Sequence, residues 1–570
     1  MKKYLQEEFR TLGTVEKENG LLVFKPINSR ESIILVQDDV AKDALNKRVC
    51  CYMKELNNGS LTATIERVFG LTSDPLSENV AIAYKYGFST EFSNKVLKEV
   101  DQTPQYVTEE DRKGRLNLED KYFMPWDDKD CKDKDDAIYA EKTDFGYKVY
   151  VAIADVGHYV KFGTELDKEA FKRSTSCYLG SGVYPMLPPE LSNGICSLNE
   201  KVSRLALVSI IDIDKNGKII NYDFKKSVIK IKKSISYDLA EKIHLCQENE
   251  HLINQEAKPY VDLMYEICDV LENKLIKRNR IEFTSNEPQF RFNKEKNIVE
   301  DIVVGNQERS HMVVEQFMIL ANEATSLFFN RHNLDGIYRI HQKPALRHLQ
   351  DLNSKLAMFG VKHYADISSL SYVRILEEVK NHPAQAYLES IILESLKKAE
   401  YSNFNYGHFG LTSTGYTHFT SPIRRYSDLL AHRIIAEYLE KKHSYLKSGQ
   451  IAQFCIRINY QEKQAGKAEA ESNKYLACVW ANQNIGKVVK ANVIWFEDDC
   501  IIARSNTVDY IIPLEMGGEI SSDGISIKDF ASNKIITLGS SINIKIEQVD
   551  MNCREIIASK VVKDENILTK

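Results

Sequence analysis

Trp126-Asp127-Asp128-Lys129-Asp130-Cys131-Lys132-Asp133-Lys134-Asp135-Asp136-Ala137-Ile138 places six carboxylates within ten residues and then turns apolar. Like charges at that density repel, so the segment favours an open loop unless a counter-charge is supplied. A hard divalent cation is such a counter-charge, because carboxylate oxygens are what magnesium takes. The apolar Ala137-Ile138-Tyr139 that follows puts the run at the edge of a strand. Magnesium held by two to four carboxylates suits phosphodiester hydrolysis: it polarises the phosphoryl group, acidifies a bound water and stabilises the leaving oxygen. A solvated acidic loop laced with lysines explains the run equally well, and spacing alone leaves both readings open. A calcium loop of EF-hand type is disfavoured, since the glycine and closing glutamate of D-x-[DN]-x-[DN]-G-x5-E are missing.

Outward from this run, residues 100–480 read as mixed α/β. Strands are expected at 147–155 and 205–213, and helices at 259–276, 310–329, 346–359, 422–440 and 459–480. The first 70 residues read as five short strands, 11–16, 21–26, 32–36, 48–55 and 61–69. Gly13, Gly20 and Asn57-Asn58-Gly59 punctuate them. They fit a small OB-type barrel or a generic sandwich. Residues 72–99 read as a connector with a turn at Pro75 and a helical pattern around 80–86. Past Gly486, strands at 487–496, 500–503, 510–513 and 542–550 suggest a second OB barrel. The expected fold class is a multidomain α+β protein. Its units are a barrel at 1–70, a connector at 71–105, a large mixed α/β body at 106–482 and a barrel at 483–570.

The 570 residues exceed one ordinary core. A formal net charge of -5 neither supports nor opposes a nucleic-acid partner, because a local positive groove suffices. Eleven cysteines without a C-x-x-C pair read as reduced core residues in a reducing compartment. The start, Met1-Lys2-Lys3-Tyr4-Leu5-Gln6-Glu7-Glu8, turns acidic before a signal region can form. No apolar run approaches the ~20 residues that span a bilayer. The expectation is a cytoplasmic protein with no membrane partner.

A second informative stretch is His418-Phe419-Thr420-Ser421-Pro422-Ile423-Arg424-Arg425-Tyr426. Ser421 is a good N-cap and Pro422 a good first helical residue. Ile423, Tyr426, Leu430 and Ile434 then share one apolar face. Two arginines in a first turn oppose the helix dipole, a conflict resolved if a phosphate docks on the helix N-terminus and Arg424. An i,i+4 pair of Arg424 with Asp428 is the plainer alternative. His408 and His418 lack partners at ligand spacing and read as core or supporting groups. Tyr178, flanked by Leu179-Gly180-Ser181-Gly182, could stack on a base or pack inward. Lys225-Lys226, Lys230 and Lys232-Lys233 form a basic patch that reads as a solvated face or an RNA path.

The acidic run resembles the catalytic signature of the ribonuclease II and ribonuclease R family, the RNB exoribonucleases, in which four aspartates stand at relative positions 0, 6, 8 and 9. Further blocks follow in order: Val151-Ala-Ile-Ala-Asp155-Val156 with Tyr159-Val160; Ser174-Thr-Ser-Cys-Tyr178 through Pro188 and Leu191-Ser-Asn-Gly194-Ile-Cys-Ser-Leu198; Tyr338-Arg339-Ile340-His341-Gln342-Lys343-Pro344; and Gly407-His408-Phe409-Gly410-Leu411 with His418 through Tyr426. The resemblance implies that Asp127, Asp133, Asp135 and Asp136 surround magnesium, with Asp135 most directly tied to catalysis. It also implies that Arg424 and Arg425 meet the RNA backbone, that Tyr178 clamps the 3′-terminal nucleotides, and that Glu469 lies by the active site. Lys134 stands where the family usually has an apolar residue, and Asp128 where it has a small one.

The flanking barrels resemble a cold-shock domain and an S1 domain, the latter with Trp495 and Phe496 as candidate stacking residues. Typical members carry two N-terminal cold-shock domains and often a lysine-rich tail. This sequence has length for one such domain and ends without the tail. The implied activity is processive 3′-to-5′ hydrolysis of RNA to nucleoside 5′-monophosphates by a monomer acting on single-stranded RNA with a free 3′ end. A non-catalytic RNA-binding protein, its metal site degraded by Lys134, is the alternative.

Overall fold

The computed structural model describes residues 9–561 apart from 28, 30, 37–38, 56–59, 181, 284–287, 294–297 and 305–307. Long runs of apolar residues at 137–140 and 149–154 are buried on both faces, which requires an interior sheet covered on each side. That sheet has five strands in the order 116–117, 219–230, 203–214, 146–154 and 136–143. Its pairings are antiparallel except for the short edge pairing of 116–117 with 219–230. Asp136 pairs with Ile153 at the start of the outer strand, so the acidic run ends at a fixed point on the sheet edge. Helices Lys258–Lys277, Arg309–Arg331 and Tyr426–Lys441 pack against this sheet. Trp126, Phe123, Phe224, Phe317, Phe329 and Phe419 fill the interior between them.

The expected helices at 259–276, 310–329 and 346–359 form within a residue or two of those bounds. The helix expected from Pro422 does not. It begins at Tyr426, with Arg425 in extended conformation as its cap (φ -133°, ψ 124°). The fully buried Asp428 carboxylate explains the delay, because it accepts the Ser421 N–H at 2.9 Å and ties 421–425 into a separate turn. A tertiary bond thus overrides a good local capping signal. The last large helix is longer than expected, Ser448–Gln483, and spans about 54 Å.

Both termini close into five-stranded barrels of OB type. The first runs in the order 9–18, 21–26, 33–35, 61–71 and 47–55, matching the five strands expected there. Pro75, expected in a turn, is instead the first residue of helix Pro75–Lys85, capped by Asp74. The second barrel uses 488–497, 500–505, 508–513, 555–560 and 541–550. Its last strand, Glu555–Lys560, and a three-stranded sheet at 518–537 were not expected from the sequence. These segments are short and weakly alternating, so only pairing with distant partners defines them. The long helix touches helix 75–85, the hairpin 177–184 and the second barrel, and it shares one apolar cluster with that barrel. Among the described residues, no helix is long and apolar enough to cross a membrane.

Gly13 sits where strands 9–18, 21–26 and 47–55 meet, and a Cβ there would lie 2.2 Å from the Lys25 carbonyl oxygen and 2.4 Å from the Phe24 ring. Gly13→Ala should destabilise the first barrel by about 1–3 kcal/mol, seen as an earlier calorimetric transition. Gly466→Ala, which meets nothing within 4 Å on the long helix, should leave that transition unchanged.

Candidate active site

The acidic run divides by exposure. Asp128 and Asp130 point to solvent, Asp127, Asp133 and Asp136 are partly buried, and Asp135 is 5% exposed. Trp126-Asp127 pairs in parallel with Ile235-Ser236, and the Cys131 N–H closes a turn onto the Asp128 carbonyl. Ser197 then grips the backbone twice. Its Oγ donates to the Lys132 carbonyl at 2.8 Å and accepts the Lys134 N–H at 3.1 Å. The Ala154 N–H donates to the Asp135 carbonyl at 2.9 Å. The run is therefore not a free loop: its backbone is anchored on both sides, while residues 128–130 face solvent.

Arg424 and Arg425 reach the same place from the turn at 421–425. The turn is sewn to 174–176 by bonds from Ser176 N–H to the Arg424 carbonyl and from Tyr426 N–H to the Ser174 carbonyl, both 2.9 Å. Asp135 accepts the Ile423 N–H at 2.8 Å, and its second oxygen lies 3.9 Å from Arg424 Nε. Arg424 does not pair with Asp428. Arg425 does, in a two-pronged contact at 2.9 and 2.7 Å. Arg425 is thereby held as a fixed positive wall, while Arg424 keeps 43% of its side chain exposed. Tyr178 stands on the hairpin of strands Cys177–Leu179 and Gly182–Tyr184 and is 41% exposed.

Together these side chains line a cleft of about 510 Å³. Its other wall holds residues the sequence did not single out: Tyr237, Glu315, Asn322 and Tyr416. Tyr237 stacks on His311, and Asn322 bonds both the Tyr416 hydroxyl and the Phe419 N–H. The available signal was the adjacent polar pair Asn322-Glu323 in the middle of helix Arg309–Arg331, which the structure buries. His418 lines the cleft with Nδ1 2.7 Å from the Tyr401 hydroxyl, and burial beside Arg425 and Arg339 holds its pKa well below the ordinary value. His408 is pushed down to about 3 by burial and by His341. Both fit supporting roles.

Glu469 is not among the residues lining the cleft. It is exposed on the long helix, near enough to Cys177 for its charge to help raise that thiol's pKa after burial. Glu462, two helical turns earlier on the same face, bonds Arg339, which itself does not line the cleft, with an oxygen 2.7 Å away. Arg339 in turn lies over the Tyr401 ring. In the basic patch, Lys225 pairs with Asp223 and Lys226 with Glu440. In the second barrel Trp495 is 55% exposed, whereas Phe496 is core.

Desolvation dominates the electrostatics. It raises Asp127 to about 6, with Asp133 and Asp128 adding to the rise, and Asp136 to about 8, with Asp127 adding to it. Asp135 lies well above the carboxylate range for the same reason, although Arg424 and the Ile423 N–H pull it down. Such a set of oxygens, short of positive charge, fits a hard divalent cation. It is an open set: among the described residues, the one trio of ligand-type atoms lying within 4.8 Å of one another is Glu497, Asp499 and Cys500, far along the chain. Openness suits a hard divalent ion that keeps some of its waters beside one or two carboxylates.

Residues 115–441 match the family described as RNB domain. A protein named Ribonuclease R from Thermotoga maritima is 39% identical over 401 residues, covering 69% of this chain and 56% of that protein. Another from Ureaplasma parvum is 31% identical over 519 residues, covering 87% of this chain and 72% of that protein. The chain thus spans between about half and three quarters of the length of these relatives. The apo structure of Mycoplasma genitalium RNase R superposes with a TM-score of 0.86 at 25% identity, covering 97% of this chain and 90% of that one.

The raised carboxyls carry a pH signature. Their ordinary value is 3.8, so the folded state binds these protons more tightly than the unfolded state. The resulting stability is complete below about 4 and is lost as pH climbs through about 6 and about 8. In chelator, the melting temperature should fall over that window, and Asp136→Asn should flatten the fall. Parallel wild-type and variant curves would contradict the shift.

Proposed function

From the premise that the chain belongs to the RNB family, we propose that it is a processive 3′-to-5′ hydrolytic exoribonuclease that releases nucleoside 5′-monophosphates from RNA. One observation carries the reading: four aspartates and Arg424, separated by almost 300 residues of sequence, line one cleft inside the RNB-matched region. The relatives named Ribonuclease R support the same activity, with RNA as substrate.

Asp127, Asp133, Asp135 and Asp136 would hold the divalent ion, for which magnesium is proposed on the all-oxygen donor set. When bound, it supplies polarisation of the phosphoryl group and an acidified water. The rest is this chain's own chemistry. Arg424 offers a planar fork of donors to the non-bridging oxygens of the scissile phosphate, next to Asp135. Arg425, fixed by Asp428, adds positive potential without moving. Asp135, oriented by the Ile423 N–H, holds the position most directly tied to catalysis. Tyr178 presents an exposed ring where a terminal base can stack, a contact tolerant of sequence.

The barrel at 1–70 is proposed as a cold-shock-like domain and that at 483–570 as an S1-like domain, with Trp495 a stacking residue. A cytoplasmic monomer acting on single-stranded RNA with a free 3′ end completes the reading. Lys134 does not supply a reason for the non-catalytic alternative: its backbone is held by Ser197 and Leu198, and all four aspartates keep their places around the cleft.

Asp135→Asn should lower mononucleotide release from a labelled single strand by roughly a hundredfold or more while leaving RNA affinity within a factor of two. Undiminished release in that variant would remove Asp135 from its role. Wild-type protein that binds RNA in magnesium without cleaving it would favour the binding protein, and early mid-length fragments would indicate an endonuclease.

A further inference from the structure

Away from the cleft, five ionic groups from four elements meet in the interior. Glu78, on helix Pro75–Lys85, is completely buried, and each of its oxygens holds a different guanidinium. Oε2 accepts from Arg48 Nε of the first barrel at 2.7 Å, and Oε1 accepts from Arg554 Nη2 of the second barrel at 2.7 Å. Arg48 is 2% exposed and Arg554 8%. Arg554 also donates to the Glu471 carbonyl at 3.0 Å and pairs with its carboxylate, on the long helix. Glu471 accepts in turn from Lys85 Nζ at 2.8 Å and the Tyr86 hydroxyl at 2.6 Å. Around this centre Ser472 bonds Asn79, the Tyr475 hydroxyl bonds the Thr72 carbonyl, and Asn552 donates to the Pro26 and Ser29 carbonyls.

We propose that Glu78 is a positioning residue for RNA grip: its carboxylate locks the two barrels at one fixed separation and fixes both to the helix that supports the Tyr178 hairpin. This rests on the functional reading above. Burying charges is a poor way to gain stability over apolar packing, but it specifies geometry, because each charge accepts only its paired arrangement. Helix 75–85 could have packed on the barrels through aliphatic residues alone. Instead one carboxylate stands between two buried guanidiniums that would repel each other without it. The long helix carries the consequence inward. Leu476 packs under Gly180 of the Tyr178 hairpin, and Glu462 of the same helix pairs with Arg339.

A strand held by both barrels and the cleft gains from multivalency only while the barrels keep a spacing that lets all sites engage at once. Short RNA that reaches only the cleft does not need that spacing. The lock therefore affects long substrates and not the chemical step.

The test compares Glu78→Gln with wild type on a single strand of about 30 nucleotides and on one of about three, below the roughly 4–16-nucleotide footprint of a barrel. On the long RNA, KM should rise by about ten- to a hundredfold, and intermediates should accumulate as runs shorten. On the short RNA, kcat should stay within about twofold. Arg48→Met, which frees only the first barrel and leaves Glu78 with Arg554, serves if Glu78→Gln does not fold, and the same split is expected. Unchanged KM and run length on long RNA, or equal losses on both substrates, would overturn the proposal. Wild type that releases no mononucleotide from either RNA would instead sink the functional reading itself.

Discussion

Carboxylates crowded into a desolvated cleft repel one another, and a protein that keeps them there must anchor the backbone against that repulsion. Here the anchoring is visible bond by bond. Ser197 holds the chain at Lys132 and Lys134, Ala154 holds it at Asp135, and the sheet edge holds Asp136. Burial adds a second cost, since desolvation, with a smaller push from neighbouring carboxylates, makes Asp127, Asp135 and Asp136 all resist ionisation. Two of the six acids escape by facing water, and four remain turned to the cleft. An arrangement this costly to the empty protein is rational when a divalent ion and a phosphate share the space.

The positive side of the cleft is built by the opposite strategy. Asp428 takes up the Ser421 N–H, the Arg425 guanidinium and the Ser427 hydroxyl at once, so the turn at 421–425 cannot relax into the following helix. Both arginines line the cleft, and Arg424 is the one whose guanidinium is left outside the Asp428 contact, beside Asp135. The hairpin of Tyr178 is bonded to this turn at its base and packed on the long helix at its tip. The acidic run, the arginine turn and the Tyr178 hairpin are consequently one mechanical unit, and the barrels attach to that unit through a separate buried ionic centre at Glu78.

Which parts of this were legible in the sequence follows from how local each part is. The acidic run is contiguous, so its density alone announced a charge problem, though only tertiary bonds decide between loop and site. The first barrel's five strands were legible because turn residues such as Gly20 separate β-branched runs, whereas Gly13, read as punctuation, lies inside the first strand. The helix start at Ser421-Pro422 was misread because the residue that prevents it, Asp428, lies seven positions on and acts through its side chain. Glu469 stands on a repetitive helix whose register no local signal fixes; it does not line the cleft, and Glu462 on the same face bonds Arg339. Tyr237, Glu315 and Tyr416 belong to separate elements, and no spacing rule links them to Asp127.

A single crystallographic measurement addresses the central claim. Crystals soaked in manganese and a hydrolysis-resistant RNA oligomer would be read by anomalous scattering. The expected result is a peak bounded by carboxylates of Asp127, Asp133, Asp135 and Asp136, with a phosphate between it and Arg424. Carboxylates splayed away from any peak, or scattering confined to Glu497, Asp499 and Cys500 on the second barrel, would contradict it.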